Sequence, residues 1–126
     1  MGFEWVSKKP NDGIATLYDS NITLNKAASS HFEHAYSVLL GFDSDALKIA
    51  VKPITKEEFQ LGAISEEKKH KITVRASYAR VCNKKFMMEV ADVAGLDFSD
   101  NNSFKFKAKW SKIEAALIID LNDPEV

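Results

Sequence analysis

The stretch SFKFKAKW, residues 103–110, alternates apolar residues and lysines more regularly than any other part of the chain. Side chains that alternate with a period of two belong to a β-strand. Phe104, Phe106, Ala108 and Trp110 then share one face, and Lys105, Lys107 and Lys109 share the other. Such a strand buries one side only. It must lie in a sheet that has something to pack against.

Three further segments carry the same period. In YSVLLGFD, Tyr36, Val38, Leu40 and Phe42 alternate on one face. In ALKIAVKPI, Leu47, Ile49 and Val51 oppose Lys48 and Lys52. Asp43-Ser44-Asp45 has turn chemistry between these two runs, which predicts a hairpin ending at Pro53. AALIIDL follows SFKFKAKW across a turn at Ser111–Glu114, predicting a second hairpin that Asn122-Asp123-Pro124 ends. GIATLYD, ITLN and ITVRASY read as shorter strands, the last with Ile72, Val74, Ala76 and Tyr78 on one face.

Two helices are expected between these runs. Asn25 is a good N-cap, and Ala28, Phe32 and Ala35 follow helical spacing over 26–35. Asn83 is placed in the same way before KKFMMEVADVA, where Phe86, Met87, Val90 and Ala94 form a stripe and Gly95 is the expected stop. Asn-Lys stands at both junctions, as Asn25-Lys26 and Asn83-Lys84. Both halves thus run strand, capped helix, hairpin. The expected fold is α+β, one domain over 1–126, with two similar βαββ units at 13–54 and 72–121. Its antiparallel hairpins pack on short helices. A charged connector at 55–71 joins the units, with one helical turn around Phe59.

Composition bounds the function. A formal net charge of −1 exerts no overall pull toward nucleic acid or membrane. The single Cys82 cannot form an internal disulfide, and MGFEWVSKKPNDG has no apolar signal core, so a cytoplasmic location is expected. No apolar run approaches the roughly 18 residues of a membrane helix. Cys82 reads as a small buried thiol before a helix. His31 and His34 could share one face of the first helix toward a metal, but surface histidine pairs are common and no metal is expected. Asp43, Asp45, Asp97 and Asp100 fall in turns, where Asp makes local hydrogen bonds. No nucleotide-loop, nucleophile-elbow or zinc-protease motif is present. The chain reads as a non-enzyme without a cofactor. Phe86, Phe104, Phe106, Trp110 and Tyr36 alternate or recur as core residues should, rather than as a stacking platform for bases.

The lysines are the least ordinary feature. Lys48 and Lys52 share a face of the first hairpin, and Lys105, Lys107 and Lys109 share a face of the second. Lys26, Lys84 and Lys85 sit in first helical turns, where the helix dipole disfavours a cation. These eight are the candidate nucleic-acid contacts, with Asn25 and Asn83 as helix caps. The bland account is that lysines keep exposed sheet faces soluble.

The stretch ITLNKAASSHFEHAYSVLLGFDSDALKIAVKPI resembles the swapped-hairpin unit of AbrB/SpoVT/MraZ-type transcription regulators: short strand, short helix, hairpin, closing Pro. Residues 81–121 echo it more loosely, and Ala27 and Ala28 stand where that family opens its helix with Pro. FKFKAKWSKIEAALIIDL is also similar to the ends of small uncharacterised proteins of bacteria and their phages. The resemblance implies a small bacterial or phage-derived regulator that binds nucleic acid and is compatible with a homodimer. The alternative is a structural or interaction module whose partner is another protein.

Overall fold

The computed structural model describes residues 13–61 and 69–124. The alternating segments form strands β1 (Gly13–Leu17), β2 (Asn21–Leu24), β3 (Ser37–Asp43), β4 (Lys48–Ile54), β5 (Ile72–Val74), β6 (Ala79–Cys82), β7 (Phe104–Ser111) and β8 (Ala116–Pro124). Among the described residues these make one antiparallel sheet in the order β3-β4-β8-β7-β1-β2-β6-β5. The helices are α1 (Lys26–Ser29), α2 (Lys56–Gln60) and α3 (Lys84–Ala94). Among the described residues no helix is long and apolar enough to cross a membrane.

The sheet curls until its edges touch. Val38 in β3 and His70, just before β5, exchange both backbone hydrogen bonds at 2.9 and 2.8 Å. Alternate residues face one shared core: Ala15 and Leu17, Ile22 and Leu24, Ile49 and Val51, Ala79 and Val81, Phe106 and Ala108, Leu117 and Ile119. The register aligns them, with Ala15 opposite both Leu24 and Phe106 and Ala108 opposite Ile119. The helices close this inner face with Ala28 of α1, then Phe32, and with Met87 and Val90 of α3. The approach of α1 to the sheet is close enough to dictate a residue. A Cβ on Gly13 would lie 2.7 Å from the Ala108 carbonyl oxygen and 3.1 Å from Ala28 Cβ, so only glycine fits.

Both expected caps are present. Asn25 Oδ1 accepts from the Ala28 amide and also from the Ile14 amide of β1, each at 3.0 Å. Asn83 Oδ1 accepts from the Phe86 amide at 3.0 Å. Gly95 ends α3 in the left-handed region, φ 71°. The helical turn expected around Phe59 is α2, fixed by a capping box between Thr55 and Glu58. Residues 1–12, which include KKPND with its turn-forming Pro, Asn and Asp, and residues 62–68 of the connector lie outside the described residues.

Several expectations need correction. The first helix stops at Ser29 and tightens into a 3-10 turn at Ser30–Phe32 instead of reaching Ala35, because Ser29 and Ser30 turn their hydroxyls back onto helix carbonyls. ITVRASY is not one strand. β5 ends at Val74, the Arg75 amide donates to the Tyr78 carbonyl at 2.8 Å, and β6 begins at Ala79. Tyr36 is exposed and meets Phe59 edge-on, 4.7 Å between centroids. Pro53 does not end β4 but pairs with Val38. It is tolerated because β8 pairs only with Lys48–Val51, leaving the donor-less side of Pro53 without a partner strand in β8. β8 likewise continues through Asn122 and Asp123 to Pro124, which pairs with Phe106 after a register shift. Trp110 is half-buried, and Cys82 is exposed rather than buried, since Ala79 and Val81 take the inward positions of β6.

Candidate nucleic-acid interface

The alternation that buries one face of each strand fixes what the other face shows. Lys107 lies opposite Ile14, and Lys105 opposite Thr16, on β1; Lys109 lies opposite Ile118 on β8. On β4, Lys48 lies opposite Asp120 of β8, and Lys52 opposite Leu39 of β3. Alternate residues of a strand are about 6.8 Å apart and neighbouring strands about 4.8 Å. The two lysine rows are separated by β8 alone, and Ala50 is level with Lys109 across Ile118, so the five lysines share a patch roughly 20 Å long and 10 Å wide. Lys107 is half-buried; the other four are exposed.

Arg80 is also on the outer side of the sheet, opposite Thr23 of β2 and Thr73 of β5, with its guanidinium 5.3 Å from the Tyr78 ring centroid. β6 is three strands from β7 on a sheet that closes on itself, so Arg80 lies away from the lysine patch. Sequence reasoning missed this residue because it read ITVRASY as one strand. The alternation Ala79, Arg80, Val81, Cys82 is the signal that could have found it. Carboxylates temper one end of the face. Asp43 and Asp120 are both in register with Lys48, although no ion pair joins them to it among the described residues.

A hollow of about 270 Å³ lies within this face, lined by Lys48, Lys107, Lys109, Ile118, Asp120 and Asp123. Trp110 and Ser111 form its remaining wall. The Trp110 ring stacks on His31, with centroids 4.7 Å apart and planes 9° from parallel. That stacking turns His31 toward β7. Among the described residues no three His, Cys, Asp or Glu side chains gather as metal ligands.

The three helix-start lysines stand elsewhere. Lys26 and Lys84-Lys85 belong to the helix layer that covers the inner face. Asn25 follows β2 and Asn83 follows β6, and these strands are antiparallel neighbours with Leu24 opposite Ala79 and Asn21 opposite Cys82. The two helix starts therefore lie at opposite ends of the β2–β6 pair. The structure does not bring them together. Lys26 follows Asn25, which pairs with Ile14 of β1, one strand from Lys107. Lys84 and Lys85 start α3 at the other end of the β2–β6 pair. Of the aromatic candidates only Trp110 borders the basic face, through the wall of the hollow. Phe106 is buried, and Phe86, Phe104 and Trp110 pack against the core.

The carboxyl of Asp97 is held below its ordinary range by hydrogen bonds from the Ser99 hydroxyl and amide, in an exposed turn where it organises the loop. Burial lowers the proton affinity of His70 at the sheet seam. No protein-family model, curated protein or solved structure matches this chain.

Proposed function

We propose that the protein is a non-enzymatic, cytoplasmic nucleic-acid-binding module that grips phosphates with the outer face of its sheet. The single observation that carries this reading is a charge asymmetry. Lys48, Lys52, Lys105, Lys107 and Lys109 share the face formed by β4, β8 and β7 in a chain whose formal net charge is −1. Lysine ammonium groups suit the phosphate backbone, which positions a protein without reading sequence. Arg80, with the planar fork that reads a guanine edge, lies three strands away on β6 and outside this patch. Binding should therefore be non-specific and strongly salt-dependent. The helix-start lysines Lys84 and Lys85 lie outside this surface and play no part in it, while Lys26 stands at its border beside β1.

The AbrB-like resemblance is compatible with this reading through architecture. Two similar units, β2-α1-β3-β4 and β6-α3-β7-β8, account for the element order. β2 pairs with β6 and β4 with β8, each antiparallel, as the like strands of two units related by a two-fold axis would. The units are not copies residue for residue: buried Leu24 precedes Asn25, whereas exposed Cys82 precedes Asn83.

A second reading, docking of an acidic protein partner, is favoured by the half-exposed Leu39, Ala50 and Ile118 set between the lysines. Anisotropy titrations with random duplex and single-stranded oligonucleotides at two salt concentrations separate the two. Non-specific binding at micromolar levels or weaker that falls steeply with salt is expected. No binding at low salt sinks the nucleic-acid reading and leaves the protein partner.

A further inference from the structure

His70 fastens three elements at one point. Its amide and carbonyl pair with Val38, and the Ser37 hydroxyl donates to the same carbonyl at 2.8 Å. Its ring meets the start of α3, with Nδ1 3.2 Å from Nδ2 of Asn83. Backbone and side chain together tie the β3 edge, the β5 edge and the α3 cap.

The polarity of the ring hydrogen bond is set by Asn83. Its Oδ1 is committed to the Phe86 amide, so the group facing His70 is the NH2, a donor only. Nδ1 must therefore offer its lone pair, with the ring proton on Nε2. Protonation sets N–H against N–H. Flipping the Asn83 amide to accept from the imidazolium would aim its NH2 at the Phe86 N–H and lose the cap. Rotating the ring brings no relief, because neither nitrogen of an imidazolium accepts.

The neighbouring charges do not favour the cation. β3 presents Ser37 and Val38, which do not titrate. The start of α3 presents Asn83 followed by exposed Lys84 and Lys85. On its own segment stand exposed Lys71 and half-buried Lys69, whose Nζ donates to the Phe59 carbonyl at 3.0 Å and lies 4.0 Å from that ring's centroid. No carboxylate hydrogen-bonds to the ring among the described residues. Burial of the imidazole acts in the same direction.

We propose that His70 is a proton-operated latch: protonating its ring breaks the bond to Asn83 and frees the seam between β3 and β5. This goes beyond phosphate binding and rests on none of the sheet-face lysines. The intact wild-type chain tests it by NMR. At neutral pH the His70 ring nitrogens should report the Nε2–H tautomer. On acidification through the imidazole titration, hydrogen-exchange protection of the Val38 and His70 amides, corrected for intrinsic rates, should fall. The fall should be about tenfold for each pH unit by which the ring sits below free histidine. Asn83→Asp keeps an oxygen for the Phe86 amide and turns the other toward Nδ1. In that variant the same acidification should raise protection. An Nδ1–H tautomer, protection indifferent to the titration, or a loss of the same sign in Asn83→Asp overturns the latch.

Discussion

Leu47 and Ala115 adopt the same left-handed backbone conformation, φ 55° and 52°, each as the residue immediately before the second strand of its hairpin. The preceding turns are also closed alike: Asp43 Oδ1 accepts from the Ala46 amide, and Ser111 Oγ from the Glu114 amide. A side chain in this region crowds its own carbonyl, at a cost of roughly 1–2 kcal/mol, while glycine loses about 0.5–1 kcal/mol in chain entropy. Ala115→Gly should therefore stabilise the protein by up to about 1 kcal/mol, read as a higher urea midpoint at unchanged slope. Leu47→Gly should not, because Leu47 also lines the apolar hollow beside Phe104 and Leu121.

Phe106, 5% exposed, stands on β7 between two lysines. Phe106→Ala should cost about 3–5 kcal/mol through reduced burial and the cavity left behind. Lys105→Ala, one position away on the wet face, should stay within about 0.5 kcal/mol. Chemical denaturation of the pair gives the order. A larger loss at Lys105 would contradict the assignment of faces.

The two capping asparagines should differ. Asn83→Ala removes one cap bond and the hydrogen bond to His70, an expected loss of about 1 kcal/mol from the cap. Asn25→Ala orphans two backbone amides, Ala28 on the helix and Ile14 on β1, and should lose more, about 2 kcal/mol. Thermal or urea unfolding of both variants at one pH decides it.

If the outer face holds phosphates, charge removal should act by position. Replacing Lys105, Lys107 and Lys109 together by Gln should lower the slope of log affinity against log salt by about 0.9 for each phosphate no longer neutralised. The double change at Lys84 and Lys85 should leave that slope unchanged. Equal effects from the two sets would show that binding is diffuse and not tied to the sheet face.

Much of this architecture was legible because it is local. The strict alternation of SFKFKAKW and ALKIAVKPI fixes which side chains point inward, whatever the strands pair with. Asn25, Asn83 and Gly95 mark helix ends through bonds spanning a few residues. What was hidden depends on partners distant in sequence. Nothing near Cys82 says that Asn21 will lie opposite it and leave it on the outer face. The seam between Val38 and His70 joins residues that share no pattern. Tyr36 continues the period of β3 yet lies one residue before the strand, where Phe59 and not the core receives it. The lysine rows were visible singly; their union on one surface required β4 to pair with β8. The same pairing order placed Lys84 and Lys85 elsewhere.

β1 lies between β2 and β7, so the first of the described strands acquires its second neighbour only from β7, near the other end of the described residues. During synthesis β7 leaves the ribosome on the order of ten seconds after β1. Through that interval β1 and β2 can pair with each other but have no inner layer from α3 or β7, and their unpaired backbone is open to rival strands. A growing chain of this design depends on whatever shields a nascent hairpin in the cell, and its yield should respond to translation speed more than to small changes in the stability of the finished sheet.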